Sequence, residues 1–211
     1  MGSPQTLSEA DRRIVALWAA DCAERVLGLF EAEAPEDGRP RDAIARTRAF
    51  ARGELSVAGE IRRRFVAGRA ARDVSAPAAA AARAAGQATG IPHMGAHALG
   101  AAAYAAKAAG LAARGQRGAI SKEIRWQLGR ASAEARAALR KLPPVGENSS
   151  GPLGPGLLAS GLLGTIVREI QTSLADPNHS LPSEWPIDRQ DRAVSVRSTM
   201  GRRARRTTTR A

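Results

Sequence analysis

The stretch IPHMGAHALGAAAYAAKAAGLAA, residues 91 to 113, is written almost wholly in alanine and glycine. Alanine loses no side-chain entropy in a helix and buries no polar group, so such a run favours helix strongly. A helix that is small and apolar on nearly every face has no side to turn toward water. It belongs at the centre of a bundle, enclosed by its neighbours. At about 100° per residue, His93, His97, Gly100, Tyr104, Lys107 and Leu111 fall on one stripe. The remaining faces are nearly all alanine and glycine, with Met94 and Leu99.

The rest of the chain agrees. Aromatic residues make up 3% of the sequence, alanine about a fifth, and runs of β-branched residues are almost absent, so strands have little to build from. At 211 residues there is room for one domain with a real core. The fold class is therefore all-α: a compact multi-helix bundle of about seven helices over residues 5–145. Residues 146–211 read as a linker, a short helix at 156–175, and a largely disordered basic C-terminal tail.

Local signals place the helices. Ser8 opens the first, with S-E-A-D as a capping box, and Pro35 stops it. Its apolar stripe holds Ile14, Leu17, Trp18, Cys22 and Leu29, with Asp21 and Arg25 four residues apart inside it, a spacing at which they can bridge. Pro40 starts a second helix that runs to about Gly53, a third spans Ser56 to about Ser75, and a fourth runs from Pro77 to Gly90. The alanine-rich stretch is the fifth. A sixth begins near Ser121 and a seventh takes Ser132 as N-cap, ending at Pro143-Pro144. Trp18 and Trp126 sit at helical spacing with aliphatic neighbours and read as core.

Beyond Val145, GENSSGPLGPG has the composition of a linker. GLLASGLLGTIVREIQTSLAD is amphipathic, although Gly161 and Gly164 weaken it, and its leucines are free to dock on the bundle. From Asp176 on the apolar content is too low to offset ordering entropy, and truncation after Val145 or Asp176 is expected to leave the core intact.

The formal charge is +12, and all but three of the 32 basic residues are arginine. That balance suits an anionic partner, but solvated arginine faces are the commoner case. RRARR in the tail stands without stacking aromatics or a recognisable binding module, so a nucleic-acid partner is not expected. The single cysteine, Cys22, forms no internal disulfide and fits a reducing compartment, and residues 1 to 13 are too polar for a secretory leader. The longest apolar run of the tail, LLASGLLGTIV, is about half of what spans a bilayer. The expected location is cytoplasmic, without a membrane partner, and the oligomeric state stays open.

Four segments in order, LWAADCAERVLGLFE, DGRPRDAIARTRAFARGE, HMGAHALGAAAYAAKAAG and EIRWQLGRASAEARAALRKLPP, carry a family likeness. Together, over residues 5 to 145, the chain resembles an all-helical family of immunity proteins from bacterial polymorphic toxin systems. The resemblance implies a non-enzymatic binding protein that neutralises a cognate protein toxin. It brings no catalytic residues and no cofactor, and the tail lies outside it.

The candidate ligand- or partner-binding residues are His93, His97, Tyr104, Lys107, Asp21, Arg25, Arg39 and Arg41. The His93–Lys107 stripe has three readings: a buried polar seam, a pocket for a small ligand or partner, or a metal site. The metal reading is the weakest. Histidines at i, i+4 can share an ion, but Met94 stands where H-E-x-x-H needs glutamate, and no third ligand is evident unless Asp21 and Glu24 approach from the first helix. Asp21, Arg25 and the Asp37-Arg39-Arg41 stretch read either as structural pins or as a charged recognition surface. An alternative class is thus a small-ligand- or metal-binding helical protein, with enzymatic activity left open.

Overall fold

The computed structural model describes residues 3–61, 67–113 and 116–186. All regular structure among them is helical. Eight α-helices follow in order: α1 (Glu9–Glu31), α2 (Arg39–Ala51), α3 (Val57–Ile61), α4 (Ala76–Ala88), α5 (His97–Ala112), α6 (Ala119–Arg130), α7 (Ala133–Arg140) and α8 (Gly161–Ala175). Two 3-10 turns, Ala67–Ala71 and Leu157–Ala159, precede α4 and α8.

Helix α5 is enclosed on several sides. It packs most extensively on α4 and meets α1, α6 and α8 on its other sides. Every residue from Ala98 to Ala106 is buried. Alanine lets the neighbouring axes close in, so the core is built from many small contacts, with Phe30, Phe50, Leu99, Ile120, Ile124 and Ile166 as its larger members.

The caps work as their sequences suggest. Ser8 Oγ accepts the Asp11 N–H at 3.1 Å and donates to Asp11 Oδ2 at 2.7 Å. Lys141, just past α7, reaches the same carboxylate at 2.9 Å, which ties the start of α1 to the end of α7. These two partners, Lys141 first, hold the Asp11 carboxyl below its usual range. Ser132 caps α7 by accepting the Ala135 N–H at 3.1 Å.

Three local expectations differ from the structure. The first concerns the third helix, expected to run from Ser56 to about Ser75: a 3-10 turn occupies Ala67–Ala71, and Asp73 takes a left-handed φ of 62°. The second concerns the alanine-rich stretch, whose first six residues form a turn. Its amides reach the N-terminal segment, Gly95 N to Thr6 O and Ala96 N to Gln5 O, both at 3.0 Å. Backbone bonds to a distant segment replace the helical ladder there.

The third concerns the C-terminal segment. Leu158, Leu162, Leu163, Ile166, Val167, Ile170 and Leu174 are all buried, and Leu153 is fully enclosed. The expectation that the core survives truncation at Val145 therefore does not fit the packing: α8 covers α5 directly. Past Asp176, Leu181 and Trp185 still pack on the core, and the Trp185 indole donates to Ser121 Oγ at 2.8 Å. The basic segment 187–211, expected to be disordered, lies outside the described residues.

Candidate functional site

The turn between α4 and α5 creates a cleft of about 640 Å³. Arg83, Gly86, Gln87 and Gly90 line it from α4 and its end; His93, His97 and Tyr104 line it from the turn and α5; Arg69, Gly151 and Pro152 close it from two loops. The sequence stripe is thus partly realised: three of its polar members share one cavity.

They do so by different routes. His97 is the first residue of α5 and half-buried, Tyr104 is buried two turns on, and His93 is exposed on the preceding turn. The two histidines are not on one helical face. Nδ1 of His97 lies 2.8 Å from Gln87 Oε1. An amide oxygen only accepts, so Nδ1 carries the hydrogen. Two glycines make room for this pair. A Cβ at Gly90 would lie 2.6 Å from His97 Cδ2, and one at Gly100 would lie 2.5 Å from Gln87 Oε1. Lys107, one turn beyond Tyr104, is half-buried and does not line the cleft.

The loop wall is held from the N-terminal segment. Gln5 is buried; its Nε2 donates to Ser150 O at 2.7 Å and its Oε1 accepts Leu153 N–H at 2.9 Å. Its backbone oxygen accepts from Ala96. One residue therefore fixes the 150–153 loop against the turn carrying His93.

The charged candidates on α1 and α2 lie elsewhere. Asp21 and Arg25 do not bridge each other. Asp21 pairs with Arg48 at 2.8 Å and Arg130 at 3.3 Å, while Arg25 donates to Glu123 at 2.8 Å and stacks 4.2 Å above the Trp126 ring. Trp126 is half-buried under that guanidinium, whereas Trp18 is core and donates to Gln127 O at 2.7 Å. Arg48 also forks onto Glu24 at 2.6 and 2.7 Å, which lowers the Glu24 carboxyl below its usual range. Burial, with Glu123 and Asp21 nearby, pushes the Cys22 thiol well up, so it stays protonated. At the start of α2, Arg39 forks onto Asp37 and Arg41 onto Glu31.

Helix α1 does pack on α5, the condition under which Asp21 and Glu24 were to approach the histidines. Both carboxylates are instead engaged by Arg48. Among the described residues no three His, Cys, Asp or Glu side chains gather as metal ligands.

Residues 5–134 match the family model described as Imm-5 like putative immunity protein. The chain belongs to that family. The match runs from the N-terminal segment that carries Gln5 into α7, and so takes in both helices of the cleft and the α1–α2 charge network. No curated protein and no solved structure matches the chain. Among the described residues no helix of this immunity-family protein is long and apolar enough to cross a membrane.

Arg69, Arg83 and Gln87 are cleft residues that the sequence reading missed. Arg83 and Gln87 did leave a trace: they are the two long polar side chains of the alanine-rich α4, spaced i, i+4.

Proposed function

We propose that this protein is a non-enzymatic, immunity-like factor that binds and neutralises a partner toxin by masking it. The observation that carries the reading is the family match over residues 5–134. The bundle supports it with exposed charge on rigid elements: the side chains of Arg39 and Arg41, 44% and 66% exposed, stand at the first turn of α2. Charges at a rim steer encounter and fix register more than they add affinity. We assign them that role.

The test is capture from the native host with the full chain as bait, read together with the genes beside it. A toxin-like protein encoded nearby should be retained, and the double variant Arg39→Glu/Arg41→Glu should retain less of it with an unchanged thermal midpoint. Recovery of no toxin-like partner would count against the reading.

A further inference from the structure

The α4–α5 cleft has a charge pattern that toxin masking does not account for. Arg69 and Arg83 both line it, and among the described residues neither guanidinium has a hydrogen bond or an ion pair. That sets them apart from Arg25, Arg39, Arg41, Arg46 and Arg48, each of which holds a carboxylate. His93 stands exposed at the same cavity, and no carboxylate among the described residues lines it. Among the described residues, glycine, proline, Gln87, His97 and Tyr104 supply the rest of the wall. About 640 Å³ lies within the ~300–1,000 Å³ of small-molecule pockets, which are mainly apolar with a few convergent polar groups. A guanidinium presents parallel N–H donors that match the two oxygens of a carboxylate or phosphate.

We propose that this cleft binds a small oxyanion, a molecule bearing a carboxylate or phosphate, held by Arg69 and Arg83 with His93 at the opening. Gln87 and His97 form the preset floor. The inference is independent of the toxin-binding reading, and its test contains no toxin, so the two fail separately.

The experiment is calorimetric titration of the full chain with inorganic phosphate, citrate and AMP. At least one probe should bind saturably at one site with a Kd of about 1 mM or tighter. Arg83→Gln and Arg69→Gln should each weaken that binding about tenfold or more, as loss of a charge-assisted pair implies. Arg125→Gln, an exposed arginine of α6, should leave it unchanged. Tighter binding of AMP than of phosphate points to an organic phosphate, and preference for citrate to a carboxylate. Absence of saturable binding for all three probes overturns the proposal. So does equal binding by Arg83→Gln and Arg69→Gln protein with an unaltered thermal midpoint.

Discussion

At the scale of single residues, the cleft depends on atoms that are missing. Gly90 has no side chain because the His97 ring lies where a Cβ would go, at 2.6 Å. Gly90→Ala should therefore lower stability by ~1–3 kcal/mol, the usual cost of forcing an extra methyl into a packed site. Removing the ring should remove the clash: in a His97→Ala background the same change should cost much less. Chemical denaturation of the four proteins in this cycle measures the difference. An equal loss in both backgrounds would place the strain somewhere other than against His97. The Gln87–His97 bond shows why such a site is hard to read in a sequence. The two residues are ten apart and meet only because the chain reverses between α4 and α5.

At the scale of elements, most of the bundle was legible where a local signal decides the outcome. Ser8 and Ser132 cap their helices because an N-cap bond needs only the next three residues. The stretch that became α8 was legible as an amphipathic helix, although the linker-like composition before it had set it outside the core on which the structure seats it. What the sequence hid was set by distant partners. The start of α5 gives way to a turn because Gly95 and Ala96 bond to Thr6 and Gln5. Asp21 turns from Arg25 to Arg48 because α2 lies alongside and brings a guanidinium that also reaches Glu24. The central position of α5 has its own test. Ala102 and Ala105 are fully buried, so replacing either with leucine should cost ~1–3 kcal/mol by overpacking. Unchanged thermal midpoints in both variants would contradict the enclosed-helix account.

At the scale of the whole molecule, the cooperative unit reaches past the family match and past Val145. Seven buried aliphatic side chains from Leu158 to Leu174 would be lost on truncation there, each worth ~1.5–3 kcal/mol when fully buried. Against a typical domain stability of ~5–15 kcal/mol, the remainder has little margin. A chain ending at Val145 should show no sharp thermal transition, and by calorimetry a native-like one would mean that α8 is dispensable. The proposed function asks no more of this bundle than charge held on its helices and action by binding. The most direct test is co-expression of the full chain with the toxin-like protein that the proposed function calls for, taken from the capture experiment, followed by size-exclusion chromatography of the purified pair. Restored growth and a stoichiometric complex are the expected result. Toxicity that persists undiminished, with the two proteins eluting separately, would contradict the account.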